Sequence, residues 1–183
     1  MTPYAEFLWR YTKQIGDNSL NGRFFLTSST TQRYCCVVAI PTLEPGGNLP
    51  PGIHWVAWQE LAARFGSTPY RRRILQGLHA ALKSLQTAGC ATAYIDGSFV
   101  TAKDFPGDFD GCWDVTGVDP TKLDPVLLDF DNDRAAQKAR FLGELFPAQL
   151  PEGLSGRTFL DFFQLDKNTG MQKGIVAIDL RRL

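Results

Sequence analysis

A helix with a single apolar face, followed at once by a short strand, limits the folds that this chain can adopt. The spacing predicts a helix over residues 69–88, with the Thr68 hydroxyl as a candidate N-cap, Pro69 at the first helical position and Gly89 at its end. Residues 91–96 then have the pattern of a strand. A one-sided helix must bury its face against another layer, which favours a helix packed on a sheet. The apolar positions are Ile74, Leu75, Leu78, Ala81, Leu82 and Leu85.

The rest of the pattern predicts an α/β (α+β) domain in which helices flank a mixed β-sheet. A loop rich in Pro and Gly at 45–52 separates an N-terminal extension, residues 1–47, from the main domain, residues 48–183. We expect a helix and one or two strands in the extension. In the main domain we predict helices at 58–64 and 133–145, a strand at 108–115, and a strand at 157–166 that pairs with 174–180 across a turn at 167–170.

Composition and charge exclude several classes of protein. The chain has 183 residues, 44% of them hydrophobic, and no run of about 18 apolar residues that would span a membrane. The N-terminus lacks the pattern of a signal peptide, so we expect a cytoplasmic protein. The cysteines include no C-x-x-C pair, which argues against zinc and against a disulfide framework. They are Cys35, Cys36, Cys90 and Cys112.

The formal net charge of zero is the sum of two opposed halves. Residues 1–92 carry nine basic and four acidic side chains, whereas residues 93–183 carry ten basic and fifteen acidic ones. We expect the chemistry of the chain among the acids of the second half.

The segment from Tyr94 to Asp110 contains the candidate site. A strand runs into Gly97 and Ser98, nine residues follow, and Asp108 and Asp110 begin the next strand. Side chains two apart on a strand share a face, so the two carboxylates project together. Their repulsion favours a bound cation, and oxygen ligands favour Mg²⁺ or Mn²⁺. Gly97 permits a close approach of the backbone to a ligand, and Ser98 offers a hydroxyl and an N–H to a phosphate oxygen.

At these residues the sequence resembles the nucleotidyltransferase superfamily that includes DNA polymerase beta. The signature of that superfamily is a hydrophobic residue, Gly, then Gly or Ser, and after a loop an Asp-hydrophobic-Asp/Glu motif. Gly97-Ser98 and Asp108-Phe109-Asp110 match it, while Asp96 stands where a hydrophobic residue is usual. Residues from about 49 onward also resemble a small, functionally uncharacterised family of bacterial nucleotidyltransferase-like proteins. The segments that carry this second resemblance are LPPGIHW, ARFGSTPYRRR, YIDGSFVTAKDFPGDFD and FFQLDKNTGMQKGIVAIDL.

The resemblance implies a nucleotidyltransferase fold and an activity that uses Mg²⁺ (or Mn²⁺) and an NTP such as ATP. Superfamily members need a third carboxylate on a later strand. We predict Asp161, inside the apolar segment TFLDFFQL, with Asp179 as the alternative. Asp108, Asp110 and Asp161 would be the metal ligands and the catalytic residues. They would hold two cations, an acceptor hydroxyl would attack the α-phosphate, and pyrophosphate would leave.

Three consecutive arginines add a candidate contact that the signature does not contain. Arg71, Arg72 and Arg73 lie in the first turn of the long helix, where the helix dipole disfavours cations. Because that helix and the following strand should run antiparallel with similar lengths, the arginines should lie near Gly97. We predict that at least one of them contacts the triphosphate or the phosphates of an acceptor. Lys103, in the loop before the Asp pair, is a further candidate phosphate contact.

The sequence leaves two alternatives open. One is a catalytically inactive nucleotide-binding or interaction module on the same fold. The other is a helix-turn-helix DNA-binding protein, because helix 58–64, a glycine turn and the arginine-rich helix follow that spacing. The resembled superfamily modifies tRNA, proteins or small molecules, and several members are toxins in bacterial toxin–antitoxin or phage-defence systems. The resemblance therefore implies an RNA, protein or small-molecule hydroxyl as acceptor and an antitoxin as a candidate partner.

Overall fold

A computed structural model describes residues 39–153 and 155–183. A five-stranded mixed sheet flanked by helices confirms the α/β (α+β) class. The strands are β1 (Gly52–Val56), β2 (Thr92–Asp96), β3 (Phe109–Trp113), β4 (Gly143–Pro147) and β5 (Gly174–Asp179). The helices are α1 (Trp58–Phe65), α2 (Pro69–Thr87), α3 (Asp131–Phe141) and α4 (Phe159–Phe163), with 3₁₀ turns at Ser98–Val100, Pro125–Leu128 and Leu180–Arg182.

The sheet is antiparallel at its centre and parallel at both edges. Its spatial order is β1-β5-β2-β3-β4. Strand β2 runs antiparallel to both β5 and β3, whereas β1 pairs with β5 and β4 pairs with β3 in parallel. The C-terminal end of β2 therefore meets the N-terminal end of β3, and these two ends carry Asp96 and Asp110.

Helix α2 forms where the sequence predicts it and buries one face of the sheet. The Thr68 hydroxyl accepts a hydrogen bond from the Arg71 backbone N–H at 3.1 Å, which caps the helix. Leu78, Leu82 and Leu85 are completely buried in the main core together with residues of β2, β3 and β5. The predicted apolar stripe is thus the face that packs on the sheet.

The opposite face of the sheet carries a second, smaller core under α4. Cys112 on β3 and Ile175 on β5 pack there against Phe159 and Phe163 of the helix. Side chains two apart on a strand share a face, so Asp110 lies on the same side of β3 as Cys112. The candidate site is therefore on the α4 side of the sheet, away from α2.

Helix α3 covers the β4 edge of the sheet. The side chain of Gln137 is fully buried, and its Oε1 accepts a hydrogen bond from the Leu145 backbone N–H of β4 at 2.9 Å. An edge N–H that would otherwise lack a strand partner is thus satisfied by a side chain. The helix ends at Leu142, in the left-handed conformation with φ of 61°.

Two predicted elements are wrong. Residues 133–145 do not form one helix, because α3 ends at Phe141 and β4 begins at Gly143. Residues 157–166 do not form a strand that pairs with 174–180. They contain the short helix α4, capped by the Thr158 hydroxyl, which accepts from the Asp161 N–H at 3.2 Å. Strand β5 pairs instead with β1 and β2.

The remaining predicted elements agree with the structure to within about two residues. Strand β1 was not predicted, because it follows directly on the Pro and Gly residues of the 45–52 loop. Described residues 39–47 form neither helix nor strand, and the elements predicted for residues 1–38 lie outside the described part of the chain. In the described residues, no helix has both the length and the apolar character needed to cross a membrane.

Candidate functional site

Three carboxylates from three neighbouring strands stand in one row across the sheet. Asp96 of β2 is the register partner of Asp110 of β3, and Asp110 is in turn the register partner of Glu144 of β4. Side chains directly opposite each other on adjacent strands are close neighbours. Asp96 and Glu144 are buried, with 4% and 8% of their surface exposed. The row is therefore a concentrated negative charge fixed by backbone pairing.

Gly97 leaves the space that the Asp110 carboxylate occupies. This glycine has a φ of 76°, in the left-handed region, and directly follows β2. A Cβ at this position would overlap Oδ2 of Asp110, so the carboxylate lies against the bare backbone of the glycine. The sequence predicted that the backbone of Gly97 would closely approach a ligand, and in the structure the Asp110 carboxylate lies against this backbone.

The three acids of the row differ in their cationic partners. Lys173 donates to both oxygens of Asp96, at 2.6 and 2.7 Å. Glu144 is bound by Arg134 at 2.8 Å and by Lys138 at 3.3 Å. Among the described residues, no Lys, Arg or His forms an ion pair with Asp110. Within the described residues, Asp110 is therefore the acid of the row without an ion-pair partner, although the charge of Arg134 also acts on it.

The electrostatic consequence is a strongly perturbed Asp110. Burial, and then the negative charges of Asp108, Glu144 and Asp96, raise the pKa of Asp110 to about 7. Burial and Glu144 also raise the pKa of Asp108, against the opposing effect of Lys138, Lys103 and Lys167. A carboxyl group that titrates near neutral pH beside other acids is typical of functional sites.

The predicted Asp pair and the Gly97-Ser98 turn lie together. Phe109 is completely buried in the main core, whereas the flanking Asp108 and Asp110 are half-buried on the other side of the strand, as the alternation predicted. Ser98 begins the 3₁₀ turn that follows Gly97. Lys103, in the loop after that turn, is exposed, and its charge acts on Asp108.

The two candidates for the third carboxylate lie outside the row. Asp161 is exposed on α4, where its carboxylate accepts a hydrogen bond from the Thr158 hydroxyl at 2.7 Å. Asp179 is at the end of β5 opposite to the row, where Arg181 binds it at 2.8 Å. The acid beside Asp110 on the neighbouring strand is Glu144. Glu144 was not among the predicted site residues, because residues 143–145 fall at the end of the predicted helix 133–145.

The three arginines have different environments. Arg71 is buried, and its guanidinium donates to the backbone carbonyls of Phe65, Phe99 and Lys103. Arg72 and Arg73 are exposed. Arg71 thus has its N–H groups occupied by backbone oxygens, and it joins the end of α1 to the loop that carries Ser98.

The donor set fits a hard divalent cation. Within residues 39–153 and 155–183, no group of three or more His, Cys, Asp or Glu side chains is arranged to hold a metal ion. Asp110 with Asp108 or Glu144 nevertheless offers two carboxylates, and Mg²⁺ characteristically uses one or two carboxylates together with phosphates of its substrate. The charge of Asp110, which has no ion-pair partner among the described residues, and the bare backbone of Gly97 beside it are consistent with such a ligand.

The cations of the site, Lys173, Arg134 and Lys138, also escaped sequence analysis. Lys173 directly precedes β5, whereas Arg134 lies near the start of α3 and Lys138 in its last turn, and no local motif marks them. A signal for Glu144 was present: it is a charged residue within the short apolar run 143–147, which ends in proline.

Comparison with known proteins gives one match. The model of a family of unknown function, DUF6932, matches residues 41–179. No curated protein and no solved structure matches the chain.

Proposed function

The chain belongs to the DUF6932 family of unknown function, and we propose that it is a Mg²⁺-dependent nucleotidyltransferase that transfers NMP from an NTP to a hydroxyl group. The observation that carries this proposal is the Asp110 carboxylate, packed against Gly97, beside Glu144 and with no ion-pair partner in residues 39–153 and 155–183. This arrangement supports the resemblance that the Gly97-Ser98 and Asp108-Phe109-Asp110 motifs suggest.

Within this proposal, Glu144 takes the place that sequence analysis gave to Asp161. A third carboxylate has to lie beside the Asp pair, and Glu144 is the register partner of Asp110 on the parallel neighbouring strand. Asp110, together with Glu144 or Asp108, would hold Mg²⁺ or Mn²⁺. When bound, the cation would neutralise the triphosphate and lower the pKa of the acceptor hydroxyl.

The residues of the chain would supply binding and orientation. Ser98 and Lys103 lie on the turn and loop beside the row, where a hydroxyl and an ammonium group can donate to phosphate oxygens. The proton of the acceptor hydroxyl would pass to water, because the Asp110 carboxylate would be occupied by the cation. The acceptor oxygen then bonds to the α-phosphorus, the bond from that phosphorus to the bridging oxygen breaks, and pyrophosphate leaves.

For the acceptor and for the protein partner we propose a chemical class and no individual molecule. An RNA such as tRNA, a protein or a small molecule offers the required hydroxyl, and an antitoxin is the candidate protein partner of a bacterial enzyme of this kind.

One observation favours a second candidate function, an inactive nucleotide-binding or interaction module. Glu144 is already neutralised by Arg134 and Lys138, as is expected for an acid with a purely structural role.

The DNA-binding alternative has less support. The helix that would enter a groove is α2, whose apolar face lies on the sheet, and Arg71 at its start is buried. A salt-dependent shift of duplex DNA in a gel would revive this alternative.

The proposed activity is tested with α-labelled NTPs, Mg²⁺, and total cellular RNA and protein as acceptors. We expect labelled product and pyrophosphate from the natural protein, and a loss of at least about a hundredfold in Asp110→Asn and Glu144→Gln. Asp161→Asn is the matched control and should retain activity. Loss of activity in Asp161→Asn with retention in Glu144→Gln would restore Asp161 as the third ligand. Nucleotide binding without turnover would favour the inactive module.

A further inference from the structure

The strongest unassigned feature near the row is the pair of cations on Glu144. The Arg134 guanidinium holds the carboxylate in a fork, with Nε 2.8 Å from Oε2 and Nη2 3.3 Å from Oε1. The Lys138 ammonium lies 3.3 Å from Oε2. Both oxygens of Glu144 are therefore engaged by cations, and a metal ion that binds this carboxylate would compete with them.

Both cations have room to move to a new partner. The side chains of Arg134 and Lys138 are 28% and 35% exposed, whereas that of Glu144 is 10% exposed. Arg134 lies over the Phe146 ring, 5.6 Å from its centroid, and also binds the exposed Asp133 at 2.7 Å. The two side chains thus lie between the buried carboxylate and solvent, where the phosphates of a bound substrate would approach.

The backbone that carries Arg134 is held in an unfavourable conformation. Asn132, Asp133 and Arg134 have φ values of 47°, 57° and 59°, in the left-handed region. For residues other than glycine this conformation is unfavourable. Such a turn persists where other contacts hold it. The contacts of Arg134 with Glu144, Phe146 and Asp133 are among those that hold this turn, so loss of the Glu144 contact would weaken its support.

We propose that Arg134 and Lys138 neutralise Glu144 in the metal-free protein and transfer to the phosphates of a bound nucleoside triphosphate when a divalent cation takes Glu144. This inference rests on the proposed function, and it assigns the triphosphate contact to α3 rather than to the arginines of α2. When a divalent cation takes Glu144, Arg134 and Lys138 lose their carboxylate partner. The negatively charged triphosphate is then a stronger partner for them, and a guanidinium can form two parallel hydrogen bonds with a phosphate.

The test compares two binding constants in the full-length chain. Mn²⁺ alone is titrated by electron paramagnetic resonance, and the α,β-methylene analogue of ATP is then titrated in saturating Mn²⁺ by calorimetry. In Arg134→Gln we expect Mn²⁺ alone to bind more tightly, because its competitor for Glu144 is gone. The nucleotide should bind more weakly, because a phosphate contact is gone. Each change should be roughly tenfold, the size of one charge-assisted hydrogen bond.

The opposite signs of the two changes separate this role from a structural one. Arg140→Gln is the matched control, since Arg140 is on the same helix and binds Asp124 at 2.6 Å, outside the row. It should change neither constant. Weaker binding of both ligands in Arg134→Gln, or no change in either, would overturn the inference. If that variant does not fold, Lys138→Gln has to give the same opposed pair of changes.

Failure of the inference is distinguishable from failure of the proposed function. If the natural protein binds no nucleotide in saturating Mn²⁺, both fall. If it binds the nucleotide and Arg134→Gln binds it equally well, the transfer to phosphate alone is refuted. If Mn²⁺ alone binds Arg134→Gln no more tightly than the natural protein, the competition for Glu144 is refuted.

Discussion

Arg71 is a buried cation whose hydrogen-bond acceptors are backbone carbonyls. Its three acceptors are the oxygens of Phe65, Phe99 and Lys103, and its guanidinium lies over the Phe65 and Phe99 rings at 5.8 and 5.0 Å. Burial lowers the pKa of this guanidinium, and the negative charge of Asp104 opposes that effect. A planar fork can reach carbonyls from a helix end and a loop together, which a lysine ammonium cannot do as well.

We expect Arg71→Leu to destabilise the protein by at least about 2 kcal/mol, because two buried carbonyls and one half-buried carbonyl lose their donor. Arg73→Leu, at an exposed position two residues along the same helix, should change the unfolding free energy by less than about 0.5 kcal/mol. Urea unfolding of the two variants gives both values. Equal effects would show that the carbonyl contacts of Arg71 contribute little to stability.

At the scale of the element, the sequence predicted best where local signals agree. The N-cap at Thr68, the apolar stripe and Gly89 all mark α2, and period-two alternation places Asp108 and Asp110 on one side of β3. Prediction failed where two patterns compete. The apolar segment around Asp161 has the composition of a strand, but the hydroxyl of Thr158 caps a helix there. Glu144 reaches Asp110 only through the pairing of β3 with β4, which no local pattern encodes.

The position of α3, and with it that of Arg134 and Lys138, depends on a close contact with α2. A Cβ at Gly77 would overlap the backbone carbonyl oxygen of Phe141. Gly77→Ala gains up to about 1 kcal/mol in helix propensity, but the overlap is with backbone and costs about 1–3 kcal/mol, so net destabilisation is expected.

Thermal or urea unfolding of Gly77→Ala tests this packing, with Gly46→Ala as the control. Gly46 has no atom within 4 Å of the added Cβ, so its substitution should be close to neutral. Hydrogen exchange in residues 131–147 should also increase in Gly77→Ala, because α3 covers the β4 edge. A stabilised Gly77→Ala protein would mean that the two helices separate without cost.

At the scale of the whole molecule, the opposed charges of the two halves do not meet at the site as the sequence suggested. The acids of the row belong to the second half of the chain, and so do the cations that bind them within the part of the chain that the structure describes. The buried arginine of the first half is directed to backbone carbonyls. The described part of the first half contributes strand β1 and the helix layer on one face of the sheet, and the sheet in turn sets the spacing of the carboxylates.

The raised pKa of Asp110 makes the stability of the metal-free protein depend on pH. The folded-state pKa of about 7 lies above the value of about 3.9 expected in the unfolded chain, so the folded state binds the proton more tightly. Stability associated with this group is fully present below pH 4 and is lost as the pH rises to about 7. We expect Asp110→Asn to lack this loss. The unfolding free energy of the variant minus that of the natural protein should therefore increase between pH 4 and pH 7 and then remain constant.

Urea unfolding in the presence of a chelator, at intervals of one pH unit from 4 to 8, measures this difference. The slope of this free-energy difference against pH should not exceed about 1.4 kcal/mol per pH unit, the limit for one proton. Mg²⁺ or Mn²⁺ added at pH 8 should stabilise the natural protein but not Asp110→Asn, because a cation that binds the folded state replaces the missing proton. A difference between the two proteins that is constant from pH 4 to pH 8 would mean that Asp110 is ionised in the folded protein throughout, and that the negative charges of Asp108, Asp96 and Glu144 do not act on it.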